Sequence, residues 1–476
     1  MLNSSKTVIR KKALLLTYRM LLRYPDALAL ALPRLKDRLD DKEPSVQSAA
    51  CTIMTELVIR NPSIYMAFAP SLFKILSSKP PRDTWTQIKL IKCFGELTKE
   101  EPRLTQRLFE PLSHILDTST AQSLVFEVIQ AIISGMSHDQ RLLRLAARKL
   151  SSFVEDSDVN IKYLGLRGLN SLQKEHSSAV RSHEEIIFKC LEEADISLRL
   201  RALDIVTGLA TDKNLKSLVK RLLLLVEDEA LSDVDVSGSL KSALVKSIIA
   251  MTTADDYGSV IDFEWLVGIY TRLLVSASFE SQLIGETLCE IVSRVPDVRC
   301  LAVGKLVQAL LSPRGAQLLE TSCTAMVVGF VIGEFFDLAA KDAAIIVPKL
   351  LDVDVCKRLS GGAVGSLADA VLQIVVAEAN LVKEEGDLER WQSLRLMAVE
   401  KFSILASSCS CFEGVSRSKH YFSLLEKSDD PKLIGMLSFL FRKGAELVPV
   451  SKRLNGRFNL LKGSTLIVIW TLMLKS

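Results

Sequence analysis

Histidine is scarce in this sequence, zinc-ligand spacing is missing, and no stretch is rich enough in glycine, serine or proline to act as a linker. The five histidines (His114, His138, His176, His183 and His420) form neither HxxH nor HExxH, so a metal site would need the fold to gather ligands from afar. Nine cysteines include no CxxC pair. Most lie in apolar helical stretches and read as buried thiols of a reducing compartment, with Cys409 and Cys411 leaving a redox or acylation site open as an alternative. The glycine-rich segment from Gly361 to Gly365 has no Lys-Ser/Thr ending and no preceding strand, which excludes a phosphate loop. It is expected to be a loop opening a helix near Ser366. No nucleophile, base and orienting group can be assembled from motifs, so the sequence predicts no catalytic residue, no metal and no cofactor. A net charge of +4 is too slight to imply nucleic acid.

Long apolar runs are missing too. Residues 325–349 are interrupted by Glu334, Asp337, Lys341 and Asp342 and read as a buried helix, while the run 465–474 is about half a bilayer span. Asn3, Ser4, Ser5 and Lys6 follow Met1 in place of an apolar signal core, which predicts a cytosolic protein. Aromatics are only 6% against 48% hydrophobic residues, the Leu/Ile/Val/Ala-rich balance of helices sandwiched between helices.

What is present is repetition. Segments beginning at Ile9, Val46, Thr86, Leu124, Ile161 and Leu198 start 37, 40, 38, 37 and 37 residues apart. In each, the positions four, seven and eleven after the start are nearly all apolar or small: Ala13, Leu16, Met20; Ala50, Ile53, Leu57; Leu90, Cys93, Leu97; Val128, Ala131, Gly135; Gly165, Gly168, Leu172; Ala202, Ile205, Leu209. That spacing lays one stripe along an α-helix, and all six stripes are expected to face inward. Prolines at 25, 62 and 102 close three of these helices, and those at 33, 70 and 111 mark where a partner helix should begin. A helix pair of this length cannot bury its stripe alone. The predicted fold is therefore all-α: a HEAT/armadillo-like, right-handed α-solenoid forming one rod over residues 1–455. Repeats are clear over 9–214 and looser over 215–455, and 456–476 forms a divergent apolar tail. Asp156, Asp158 and Asp195 precede repeat helices and read as caps.

Charge gathers at one end. Residues 1–38 carry nine Lys/Arg against Asp26 and Asp37. Solvated helix faces explain such a run. Contact with an acidic partner or anionic headgroups through Arg10, Lys11 and Lys12 is the functional alternative.

Several segments also resemble a known family. IRKKA at 9–13, DSDVNIKYLGLRGL at 156–169, HSSAVRSHEEIIFKCLEEADISLRLRALDIVTGL at 176–209 and NLKSLVKRLL at 214–223 are similar to the trunks of large adaptins. EPRLTQRLFEPLSHILDTSTAQSLVFEVI at 101–129, VIDFEWLVGIYTRLL at 260–274 and IGETLCEIVSRVPDVRCLAVGKLVQALL at 284–311 resemble the delta-adaptins, large subunits of third adaptor protein complexes. This resemblance implies a non-enzymatic coat subunit that scaffolds a beta-type large adaptin, a sigma-type small subunit and a mu-type medium subunit. It implies recruitment by an Arf-type GTPase, peripheral membrane association at Golgi and endosomes, and cargo sorting toward lysosomes or vacuoles. Relative to that family the chain is expected to lack amino-terminal helices and a hinge and appendage. Another HEAT-repeat scaffold, a nuclear transport receptor or a phosphatase scaffold, is the alternative.

Overall fold

A computed structural model describes residues 2–427 apart from 25–26, 79–82, 228–236, 314, 337–342, 386–387 and 410. The tail at 456–476, with its apolar run, lies outside the described residues. All regular structure among the described residues is helical. The chain divides into two compact units, Met1–Leu209 and Ala210–Ser476.

The first unit contains α1 (Thr7–Arg23), α2 (Leu28–Leu39), α3 (Pro44–Arg60), α4 (Pro62–Tyr65), α5 (Ala69–Leu76) and α6 (Thr84–Glu100). It continues with α7 (Leu104–Thr118), α8 (Gln122–Gly135), α9 (Gln140–Val154), α10 (Val159–Arg181, bent at His176), α11 (Glu184–Lys189) and α12 (Ile196–Gly208). The stripe helices pack on one another: α3 on α6, α6 on α8, and α10 on α12. Five stripes face inward as the spacing predicts. Ala50, Ile53, Leu90, Cys93, Leu97, Val128, Leu172, Ala202, Ile205 and Leu209 are all at most 1% exposed, and Gly135, Gly165 and Gly168 are buried with them.

The first stripe departs from expectation. Ala13 is buried, but Leu16 and Met20 are 55% and 53% exposed. In α1 the side chains that pack inward are Leu14 and Leu21, so the inward face is rotated from the other copies. The proline rule also needs correction: Pro70 lies in the first turn of α5 as expected, but Pro33 and Pro111 lie inside α2 and α7. Those helices begin about one to two turns before their prolines, whose missing N–H costs one intrahelical hydrogen bond without ending the helix.

Asp158 and Asp195 accept backbone N–H groups of Asn160 and of Ser197 and Leu198, capping α10 and α12. Asp156 instead accepts the Asp158 N–H in the preceding turn. Neighbouring repeats are joined by side chains about one period apart. The Thr86 hydroxyl donates to Ser48 Oγ at 2.6 Å, the Thr55 hydroxyl to the Lys89 carbonyl at 2.9 Å, and the Gln173 amide to the Ile205 carbonyl at 2.8 Å.

The second unit contains α13 (Leu215–Glu227), α14 (Ser237–Thr253), α15 (Phe263–Ser276), α16 (Ser281–Arg294), α17 (Arg299–Leu311) and α18 (Gly315–Leu318). It then runs through α19 (Ser322–Glu334), α20 (Ala343–Leu350), α21 (Val353–Cys356), α22 (Gly361–Glu385), α23 (Leu388–Ser408) and α24 (Phe412–Lys427). The same period persists here in cross-links: Arg294 forks onto Asp256 at 2.8 and 3.0 Å, Thr321 donates to Ser281 Oγ at 3.2 Å, and the Ser360 N–H donates to Ser322 Oγ at 2.9 Å. Each joins positions 38 or 40 residues apart. The Arg294 fork also steadies a strained turn in which Asp255, Asp256 and Tyr257 have φ of 50, 58 and 66°.

Within 325–349, residues 325–334 belong to α19 and 343–349 to α20, two short helices with buried faces, and 337–342 lie outside the described residues. Gly361 to Gly365 are not a loop. They are the first turns of α22, where Ala363 and Val364 are fully buried. The stretch Gly361–Asn380 is long and apolar enough to cross a membrane, and 72% of its apolar window is buried inside the fold.

Candidate interaction surfaces

The described residues hold no cluster of three or more His, Cys, Asp or Glu placed to bind a metal ion. All nine cysteines are free; five are buried and Cys300 is exposed. Burial pushes the Cys190 thiol up to about 11 and the Cys356 thiol up to about 12, which keeps both as inert packing groups. Cys409 and Cys411 do approach each other, and burial raises the Cys409 thiol as well.

The basic amino-terminal run divides in the structure. Arg10 turns onto Asp41, with Nε and Nη2 at 3.0 and 3.1 Å from the carboxylate oxygens, and its Nη1 donates to the Ser4 and Ser5 carbonyls. Its side chain is 12% exposed. Arg38 adds a second cation on Asp41 at 2.8 Å. Burial alone would raise the Asp41 carboxyl. The Glu43 N–H, Arg10 and Arg38 outweigh that and hold it below its ordinary value. Lys11 and Lys12 are exposed on the same helix. Arg10 is therefore a tie between α1 and the α2–α3 turn, whereas Lys11 and Lys12 stay free to meet an acidic surface. Beside them stand exposed apolar side chains of α1, Val8, Leu15, Leu16 and Met20.

The second unit has a concavity that no sequence motif marks, a groove of about 1460 Å³ with α15 as its floor. Trp265, Gly268 and Arg272 follow one another along that floor at helical spacing. Lys216 and Lys220 of α13 stand on one side, and Lys305 of α17 on the other. Lys216 pairs with Asp262 at 2.7 Å and Arg272 with Glu227 at 2.6 Å. Its contributing helices lie dozens of residues apart, so only the folded period brings them together.

Helices paired and stacked at a repeating interval within each unit define a helical-repeat fold of the α-solenoid class. The chain belongs to the adaptin family: residues 1–429 match the family model described as the adaptin N terminal region. It is 38% identical over 315 residues to the AP-3 complex subunit delta of Dictyostelium discoideum, covering 66% of this chain and 27% of that protein. Against the same subunit of Schizosaccharomyces pombe it is 38% identical over 319 residues, covering 66% of this chain and 38% of the relative. The chain thus spans well under half of these curated relatives. Among solved structures, a homology model of the full-length AP-3 complex in an intermediate open conformation contains a chain of the same fold. The TM-score is 0.66 at 24% identity, covering 93% of this chain and 80% of that one.

Proposed function

We propose that this chain is a non-enzymatic large subunit of a heterotetrameric vesicle-coat adaptor complex of the AP-3 kind. The match of residues 1–429 to the adaptin region, in a chain related to delta subunits along two thirds of its length, carries this reading. The repeats then serve as a scaffold for a beta-type large adaptin, a sigma-type small subunit and a mu-type medium subunit. An Arf-type GTPase recruits the assembly from the cytoplasm to Golgi and endosomal membranes, where cargo is sorted toward lysosomes or vacuoles. Co-expression with beta-type, sigma-type and mu-type chains should yield a complex that co-elutes in stoichiometric amounts. Co-purification with phosphatase catalytic subunits or nuclear-transport cargo, and none with adaptor chains, would overturn it.

We further propose that Lys11 and Lys12 contribute to a peripheral, salt-sensitive contact with anionic headgroups or an acidic partner, and that Arg10 does not. Arg10→Ala should lower stability at neutral pH by about 1–2 kcal/mol while leaving binding to phosphatidylserine vesicles intact. Asp41 has a depressed folded-state value, so its contribution is complete above the ordinary carboxylate value and is lost as pH falls through the folded one. The gap between parent and Arg10→Ala should therefore narrow in acid titrations followed by circular dichroism. Lys11→Glu/Lys12→Glu should do the reverse, sparing stability and abolishing vesicle binding. Vesicle binding that ignores this double change, or fails in Arg10→Ala, would refute the assignment.

A further inference from the structure

We propose that the groove floored by α15 is a docking site for an extended peptide segment carrying spaced acidic residues. Three observations lead there. Lys220 of α13 and Lys305 of α17 both line the groove, both exposed, and neither engages a carboxylate among the described residues. A solvated lysine is ordinary, but two flanking one concavity give an anionic ligand a fixed pair of anchors. The floor leaves room for close approach: a Cβ added at Gly268 would meet nothing within 4 Å, so this glycine answers no packing need inside the fold. Glycine weakens a helix interior, and here it leaves room for a main chain to lie against α15. Finally, Gln308 and Gln317 line the same space, and their amides are groups suited to the carbonyls and N–H groups of an extended backbone.

The charge pattern selects the occupant. Glu264 and Glu320 also line the groove, so a uniformly anionic polymer would be repelled in places where a peptide with separated carboxylates would not. Nucleic acid presents a charge about every 1.7 Å of duplex and needs many more cations than this groove offers. A planar bilayer cannot enter a concavity. Adjacent packed helices lie roughly 8–10 Å apart, which places the α13 and α17 axes about 16–20 Å from one another across α15. An extended chain covers that distance in about five to six residues at ~3.3 Å each. The favoured ligand therefore has two Asp or Glu residues about six positions apart, with small or polar residues between.

The test is fluorescence polarisation with the full chain and a fluorescein-labelled peptide holding two Asp at that spacing in a Ser/Ala background. The expected result is saturable binding that weakens at high salt, and weakens about fivefold or more in Lys220→Ala/Lys305→Ala, as the loss of two exposed ion pairs allows. Gly268→Leu should abolish binding while leaving the melting temperature level or higher, because leucine is the better helix former. The proposal fails if no binding is seen, if the Asp→Asn peptide binds as well, or if both variants bind as the parent does. It also fails if phosphatidylserine vesicles lose their binding in the same two variants, which would make this a membrane surface.

Discussion

Leu172→Asp is expected to unfold the first unit at a temperature roughly 10 °C or more below the parent. Leu172 is 0% exposed in α10, the helix that packs between α9 and α12. An aspartate there would remove a buried hydrophobic side chain contributing about 1.5–3 kcal/mol and take a carboxylate out of water. An unpaired buried charge costs several kcal/mol even after relaxation. Each kcal/mol lowers the midpoint by about 2–4 °C in a domain of this size. Differential scanning calorimetry reads the change directly, and a variant melting within a degree or two of the parent would show that the stripe does not form the core.

The second large effect comes from a glycine whose role is opposite to that of Gly268. At Gly135, where α8 meets α6, an added Cβ would overlap the Gly95 carbonyl oxygen and the Thr98 hydroxyl. The overlap is partly with backbone and cannot be relieved by a rotamer change. Helix α8 would have to shift, so Gly135→Ala should cost about 2–4 kcal/mol, at or above the usual range for overpacking. The control is Gly304 of α17, whose Cβ would meet nothing within 4 Å. Gly304→Ala should raise stability by up to about 1 kcal/mol. Chemical denaturation midpoints compare the two, and equal effects at both positions would contradict the close contact between α6 and α8.

The stripes were readable because an inward helix face imposes a strict spacing on small and apolar residues. Ala50, Cys93 and Gly168 all fit it because each lets a neighbouring helix approach. The reading failed where composition and environment separate. Leu16 and Met20 satisfy the pattern, yet no described residue covers them. Pro33 and Pro111 carry a positional rule that tolerates exceptions within the early turns of a helix. Beyond residue 214 the sequence register fades, although the ties of Arg294 to Asp256, Thr321 to Ser281 and Ser360 to Ser322 keep the period in space. The groove was hidden for a different reason. Trp265, Gly268 and Arg272 look like an ordinary helix face until α13 and α17 are placed beside it, and Arg10 looks as free as Lys11 until Asp41 arrives from 31 residues away.

The cross-links spaced by one period also bear on mechanics. Thr86 is tied to Ser48, Gln173 to Ile205, Thr321 to Ser281 and Ser360 to Ser322. Each tie reaches an adjacent repeat and goes no farther. A stack fastened in this way resists sliding between adjacent layers, and because each of these ties spans one layer only, within each unit small rotations at successive layers can accumulate into a smooth bend without breaking any single one of them. Compliance of that kind lets a scaffold yield to the curvature of whatever it holds.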